Sequence, residues 1–257
     1  MVAIDETDRQ RLSLVLRAGF WALIGLFGSQ LLALLFASPL LLVIDPVTPT
    51  HEYAAITIGS GIGFVVLAGI YLWRHDLDLS FLDVSLPSPR DLGYSLLGFF
   101  VLLGGLMVIN LVIQSLDIST ADHSVIQTVS ENNSPEIFLM LVPLSFLVIA
   151  PAEEIFYRNI VQKSLYPRFT RLHAVLIASA IFALVHVPAY LTSGLAPLVT
   201  TLPILFVLAL VLGESYRRTH NLVVPILVHG AFNAFQFLGQ YLVYTSDIST
   251  TGLVSLP

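Results

Sequence analysis

The sequence contains no cysteine, and only 11% of its 257 residues are charged. Without cysteine the chain cannot form disulfides, thiolate zinc sites or cysteine nucleophiles. A soluble globular domain carries about 25% charged residues, so this chain has too few to cover itself with a hydrated surface. The net charge of −6 comes without any basic stripe, which argues against a nucleic-acid partner. The composition instead predicts a protein that is solvated mainly by the lipid bilayer.

Long uncharged stretches make up most of the chain, and about 20 apolar residues suffice for one helix to cross a bilayer. One of these stretches is long enough for two spans, with a turn at Pro188, Gly194 and Pro197 between them. A further, less regular span begins near Pro135 and runs into Glu153. We therefore predict an all-α fold, a single membrane domain of residues 1–257 with about seven transmembrane helices. The uncharged stretches are 18–44, 53–73, 92–116, 172–213 and 219–246.

The 11 basic residues all fall on one side of this seven-span arrangement. They precede the first span and lie between spans two and three, around the end of span four, and between spans six and seven. The opposite loops, of which 117–134 is the longest, contain Asp122 and Asp247 but no Lys or Arg. Because cytoplasmic loops are enriched in Lys and Arg, we predict a cytoplasmic N-terminus and an outer C-terminus in the cell membrane.

Alternating glycines at 59–63 lie inside the second span. They superficially resemble a nucleotide-binding loop, but they follow no strand and lack the G-x-G-x-x-G spacing. Small residues also let membrane helices approach each other closely. We interpret this run as a helix-packing surface.

Three ionisable residues interrupt the span that begins near Pro135. Each such residue costs roughly 2.5–3.5 kcal/mol at the centre of a membrane helix on insertion scales. Glu154 and Arg158 are four residues apart and share a helix face, so they can form an ion pair. Glu153 points about 100° away from Glu154, which leaves its carboxylate for chemistry. The alternative is that the span simply ends at Ala152 and that these charges lie in the membrane interface.

Two further polar patterns interrupt apolar helices downstream. His186 follows Phe182 by four residues, and His229 and Asn233 are four apart and share a helix face. A lone histidine on an apolar helix is more often a packing residue than a catalyst, but two histidines, an asparagine and a free glutamate together favour a site. All four polar residues lie within about 6 Å of the centres of their predicted spans, at 1.5 Å per residue. We therefore predict that they line one water-filled cavity.

The three patterns resemble the motifs of the CPBP family of intramembrane proteases, also called the ABI or type II CAAX prenyl endopeptidase family. They occur in the order and at the separations of that family. Each motif alone is weak, whereas the three together on helices are fairly specific. The matching residues are Glu153, Glu154 and Arg158 for E-E-x-x-x-R, Phe182 and His186 for F-x-x-x-H, and His229 and Asn233 for H-x-x-x-N.

The resemblance covers about residues 135–240, which would form the catalytic core. Residues 1–134 would supply three preceding helices with their loops, and these resemble only generic membrane helices. Tyr157 and Asn159 depart from the residues that are common at their positions in the family, but neither carries the chemistry.

The resemblance implies endopeptidic hydrolysis of a membrane-embedded or prenylated peptide. Glu153, which lacks a dedicated cation, would act as general base, and His186 would help to hold and activate the water. His229 and Asn233 would donate hydrogen bonds to the tetrahedral oxyanion. The ion pair of the first motif would orient the site, and the surrounding lipid would exclude bulk water.

A zinc site would use the same residues. Glu153, His186 and His229 would make the two-His, one-Glu ligand set of some catalytic zinc sites, with Asn233 beside it. The chain has no H-E-x-x-H motif, so three helices would have to supply the ligands. The family admits both versions, and we favour a site without a metal or other cofactor.

Two other functions stay open at this stage. A proton- or ion-coupled transporter could use the same carboxylates and histidines as a relay. The short chain and the lack of an inverted repeat speak against a transporter. A non-catalytic membrane scaffold or immunity-type protein would keep the fold but is expected to depart from the motifs, which this chain does not.

Overall fold

All regular structure in the computed structural model is helical within residues 5–117 and 119–246, which are the residues that the structure describes. This confirms the all-α fold class. Asp247, which we place in an outer loop, lies outside these residues. The helices are α1 Glu6–Leu41, α2 Pro49–Arg74, α3 Pro89–Ser115, α4 Ser124–Asn132, α5 Glu136–Gln162, α6 Arg171–Val185, α7 Val187–Tyr190, α8 Leu195–Thr219 and α9 Val223–Thr245.

Five of the described helices, α1, α2, α3, α5 and α8, are long and apolar enough to cross a membrane. The predicted count of seven adds α6 and α9. Helix α6 is apolar but has only 15 residues. Helix α9 is long enough, with 23 residues, but His229, Asn233 and Gln236 lower its mean hydropathy. The five-helix set supports an integral membrane protein, while the count of seven and the orientation stay predictions.

Capping side chains define where two of the spanning helices begin. Before α2, the Thr48 hydroxyl accepts a hydrogen bond from the His51 backbone N–H, and the His51 ring in turn accepts one from the Thr48 N–H. Ser88 and Asp91 make the same reciprocal pair before α3. A proline occupies the first position of each helix, where a missing N–H costs nothing. These local patterns fix both helix starts in the sequence.

Helices α1 and α2 pack through the glycine run. A Cβ atom on Gly59 would lie 2.7 Å from the Ala33 carbonyl oxygen, and one on Gly63 would lie 2.9 Å from Ser29 Cα. Real Cβ atoms do not approach backbone this closely. The helix-packing interpretation of residues 59–63 is therefore confirmed.

Helix α5 lies at the centre of the bundle and packs against α1, α2, α6 and α9. Its hydrogen-bonding pattern widens to π-helix at Ser145–Ile149 and again at Ile155–Gln162. Only the single turn Ala150–Glu154 between them is regular α-helix. Such π segments are frequent at functional sites because they redirect side chains. The interruption therefore coincides with the motif of Glu153, Glu154 and Arg158.

The link between α3 and α5 contains a short amphipathic helix. Val125 and Val129 of α4 are buried against the first turns of α5. Upstream of α4, the backbone N–H of Ala121 donates to Thr201 Oγ1 at 2.9 Å, and that of Asp122 donates to Ser193 Oγ at 3.0 Å. The link is thus docked on α5 and α8, and it covers the end of the bundle where α5 begins.

Candidate active site

One cavity of about 580 Å³ lies among α1, α2, α5, α6, α8 and α9. Its walls are mostly apolar. All four side chains that the sequence predicts as catalytic border it, namely Glu153, His186, His229 and Asn233. The structure therefore brings polar groups from three helices to one cavity.

Glu153 and His186 face each other across the cavity. Glu153 Oε2 lies 4.0 Å from His186 Nε2, and the two side chains are 21% and 20% exposed. The other ring nitrogen, His186 Nδ1, lies 2.7 Å from the backbone carbonyl oxygen of Phe182. Since a carbonyl oxygen can only accept, Nδ1 carries the proton. In the neutral ring, Nε2 then presents a lone pair to the cavity.

Glu154 points away from the cavity and is fully buried. Its Oε2 accepts a hydrogen bond from Arg158 Nε at 2.7 Å, which forms the ion pair that the spacing predicts. Its Oε1 lies 2.8 Å from His229 Nδ1. The carboxylate therefore binds a second predicted site residue as well, a contact that spacing along one helix cannot reveal.

His229 and Asn233 lie one turn apart on α9. Because Glu154 holds Nδ1 of His229, the Nε2 atom of that ring is the one available to the cavity. The Asn233 side chain is partly buried, and it has no hydrogen-bond partner among the residues that the structure describes. Both groups can thus interact with a molecule in the cavity.

The Phe182 ring lies among the polar groups of all three motifs. Its centroid is 4.2 Å from that of His186 and 6.5 Å from that of His229. The Arg158 guanidinium carbon is 5.4 Å from the same ring. The aromatic ring fills the space between the buried ion pair and the cavity, and it fixes the orientation of His186.

Away from the cavity, buried polar side chains connect α5 to the link between α2 and α3. Asn159 is fully buried and hydrogen-bonded to the Tyr216 hydroxyl at 2.9 Å. Tyr216 donates to Asp83 Oδ2, which also receives Lys163 Nζ at 2.7 Å. This network fixes the 3₁₀ turn Leu79–Leu82 against α5 and has no direct contact with the cavity. Asn159 thus has a structural role here.

Several further polar residues line the cavity outside the three motifs; among them are His123 and Gln236, which were not predicted from the sequence. Gln236 lies three residues beyond Asn233, so helical periodicity on α9 was a usable signal for it. His123 lies in the link before α4, where no periodic pattern points to the cavity.

The predicted zinc ligands can be tested against this geometry. Atoms that bind one zinc ion at about 2.1 Å lie about 3.4 Å apart in a tetrahedral site. Glu153 and His186 are separated by 4.0 Å. Among the described residues, no group of three or more His, Asp or Glu side chains could hold a metal ion. The residue types suit zinc but their placement does not, and we derive no step through a metal.

Residues 135–235 match the family model described as type II CAAX prenyl endopeptidase Rce1-like. The match confirms the family resemblance indicated by the three motifs, and the matched segment contains all of them. It covers less than half of the chain. Neither the search of curated proteins nor that of solved structures gave a match. At the level of the family, these findings support a membrane-embedded peptide hydrolase.

Proposed function

From this premise, we propose that the protein is an intramembrane endopeptidase that hydrolyses a peptide bond with a water molecule activated by Glu153 and His186. The observation that carries the proposal is the pair formed by Glu153 Oε2 and His186 Nε2, 4.0 Å apart in a mostly apolar cavity. Neither of these atoms has a closer ion-pair partner among the described residues. They are therefore available to act on a third molecule.

The separation suits a bridging water. An ionised carboxylate and the Nε2 lone pair of neutral His186 are both acceptors, so each can take one hydrogen of the same water. Hydrogen bonds of about 2.8 Å to two atoms 4.0 Å apart make an angle of about 90° at the water oxygen. The lone pairs of that oxygen then remain free to attack a carbonyl carbon.

Charge that develops on the carbonyl oxygen would be stabilised from α9. Asn233 can donate from its amide nitrogen, and protonated His229 can donate from Nε2 while its Nδ1–H stays bonded to Glu154. Together with Glu153 and Arg158, this arrangement has two negative and two positive charges. Donors fixed in a water-poor site are worth more than the same groups in water, because they need no reorganisation.

The steps balance as an ordinary hydrolysis. Glu153 takes one proton from the water, and the hydroxide oxygen bonds to the carbonyl carbon to give a tetrahedral intermediate. When the C–N bond breaks, the protonated Glu153 returns the proton to the leaving amine. A carboxylic acid and an amine leave, and the enzyme regains its starting state.

The substrate in this proposal is a membrane-embedded or prenylated peptide that enters from the bilayer. The mostly apolar wall of the cavity supports such a substrate, because it offers burial to a hydrocarbon chain or to an apolar peptide. The proposed arrangement in the cell membrane has seven spans with a cytoplasmic N-terminus and an outer C-terminus. It rests on the one-sided distribution of the 11 basic residues.

Comparative proteomics of membranes tests the function even when the substrate is unidentified. Cells that produce the wild-type protein are compared with cells that produce Glu153→Gln at equal level, and Glu52→Gln serves as the control because Glu52 is exposed outside the site. We expect at least one precursor that stays uncleaved only with Glu153→Gln. Identical proteomes would contradict the proposal.

Zinc analysis of the purified protein tests the metal-free version. We expect less than one zinc per chain and activity that survives a chelator. Stoichiometric zinc together with chelator-sensitive activity would overturn the metal-free mechanism while leaving the hydrolase itself intact.

A further inference from the structure

Gln236 carries a buried hydrogen-bond donor that nothing in the described chain uses. Its side chain is 3% exposed and borders the cavity. Its Nε2 group has no hydrogen-bond partner among the described residues. A buried, unpaired donor costs about 1–3 kcal/mol, so its retention inside an apolar wall needs a reason. A carbonyl oxygen brought by a substrate would supply the missing acceptor.

His123 brings a second donor to the same cavity. Its Nδ1 accepts a hydrogen bond from the Val125 backbone N–H at 3.2 Å, so the neutral ring carries its proton on Nε2. Burial, and to a smaller extent the nearby His186, lower the pKa of His123 to about 4. The ring is therefore neutral at physiological pH, with a fixed N–H donor.

The His123 ring is held in place from several directions. It packs edge-on against Tyr190, with ring centroids 5.1 Å apart. The backbone N–H groups of the two residues before it donate hydrogen bonds to side-chain hydroxyls of α8 and of the Leu191–Ser193 turn. The donor is thus preorganised and needs little additional ordering when it binds a ligand.

Both donors lie toward the same end of the cavity. Gln236 is seven residues beyond His229, or about 10 Å further along α9 at 1.5 Å per residue. His123 precedes α4, which packs on the first turns of α5. This is the end where α5 begins and α9 ends, beyond the catalytic side chains. Neither residue belongs to the three motifs.

We propose that His123 and Gln236 form a peptide-binding subsite, which takes backbone carbonyl oxygens of an extended substrate segment next to the scissile bond. This inference rests on the proposed endopeptidase function. An extended peptide inside an apolar cavity leaves its carbonyl groups without partners, and each such group is costly in a medium without water. Two donors on one side of the catalytic centre satisfy such groups and fix the register of the peptide.

The test measures kcat and KM of the full-length protein in detergent with two quenched fluorescent peptides. One probe carries a farnesylated cysteine near its C-terminus, and the other is an unprenylated transmembrane segment. We expect His123→Phe and Gln236→Leu each to lower kcat/KM about five- to tenfold, the effect of one lost hydrogen bond. His123→Gln keeps a donor at the position of Nε2, and it should recover most of the loss.

Thermal stability separates binding from structure. Gln236→Leu removes a buried unpaired donor, so its Tm should stay equal or rise while kcat/KM falls. His75→Phe and Gln114→Leu make the same chemical changes outside the cavity and should leave kcat/KM unchanged. The subsite proposal would be overturned if His123→Phe and Gln236→Leu kept kcat/KM within twofold of wild type. It would also be overturned if His123→Gln were no more active than His123→Phe. If the wild type cleaves neither probe faster than Glu153→Gln, the endopeptidase function fails and the subsite falls with it.

Discussion

The adjacent residues Glu153 and Glu154 lie on two faces of helix α5 and have opposite surroundings. Glu153 is 21% exposed and borders the cavity, and its ion-pair contact, with His186, is 4.0 Å long. Glu154 is fully buried and binds Arg158 and His229 at 2.7 and 2.8 Å. The difference teaches that a carboxylate with two short partners holds a structure together, whereas one that lacks them is available for chemistry.

The buried face also contains hydrogen-bond donors that have no partner in the described part of the chain. Only Nε of Arg158 is paired, because Nη1 and Nη2 have no hydrogen-bond partner in the described part of the chain. The guanidinium instead lies near the Phe182 ring, at 5.4 Å. Glu154 therefore provides the principal counter-charge for the buried Arg158, and the loss of Glu154 should destabilise the whole fold.

The largest effect should come from the cavity face. Glu153→Gln removes the general base but keeps the shape of the side chain, so cleavage should fall about 10²- to 10⁴-fold. The Tm in detergent should change little, since Glu153 has no short contact to lose. Cleavage of the precursor found by membrane proteomics and a thermal melt measure the two effects. If Glu153→Gln cleaved at the wild-type rate, the functional difference that we infer between Glu153 and Glu154 would be contradicted.

The same substitution one residue later should act on stability. Glu154→Gln leaves Arg158 as an uncompensated buried charge, which costs about 3–5 kcal/mol. We expect a clear loss of Tm and of folded yield, together with lost activity. A thermal melt beside that of Glu153→Gln is the measurement, and equal Tm values for the two variants would contradict the comparison.

A double variant separates the two contributions of Glu154. Replacing both partners, as in Glu154→Leu with Arg158→Met, removes the charge as well as its counter-charge, and it should recover much of the stability. Activity should stay low because His229 loses the acceptor of its Nδ1–H. Recovery of both stability and activity would show that Glu154 has no part in the reaction beyond pairing with Arg158.

A smaller effect is expected outside α5, in helices that the family model does not cover. Gly59→Ala should destabilise the protein by about 1–3 kcal/mol, because the new Cβ would meet the Ala33 carbonyl oxygen and backbone cannot move aside. Gly69→Ala is the matched control on the same helix, since its Cβ would meet nothing within 4 Å. Thermal melts of the two variants should differ clearly, and equal values would refute close packing of α1 on α2.

The smallest effect should come from the polar network of Asn159, Tyr216 and Asp83. Tyr216→Phe removes the hydroxyl that joins Asn159 to Asp83, at a cost of about 1 kcal/mol. Cleavage should stay near the wild-type rate, because this network has no contact with the cavity. If kcat fell more than twofold in a protein that is still folded, the network would have a role in the reaction.

The sequence anticipates a large part of this architecture for identifiable reasons. Helices α2 and α3 are readable because Thr48 and Ser88 cap them and prolines follow. The Glu154–Arg158 pair is readable because spacing within one helix is a local property. The assembly of Glu153, His186, His229 and Asn233 on one cavity follows from their similar predicted depths, although their catalytic roles stay predictions.

Other features depend on distant segments and were not readable. The π-helical segments on both sides of Ala150–Glu154 have no pattern of their own in the sequence. The contact of His229 with Glu154 joins residues 75 positions apart. His123 reaches the cavity only because α4 docks on α5, and the predicted loop 117–134 gave no sign of that docking.

The sequence alone predicted an integral membrane protein, an all-helical fold, and the few polar residues of its apolar helices that border the cavity. These outcomes follow from composition and from the 3.6-residue period, which act within single segments. Only the tertiary structure decided that Glu154 also binds His229, that π-helical segments flank the turn that carries both glutamates, and that His123 and Gln236 border the cavity. Such choices depend on contacts between helices, and no single segment contains the information about its neighbours.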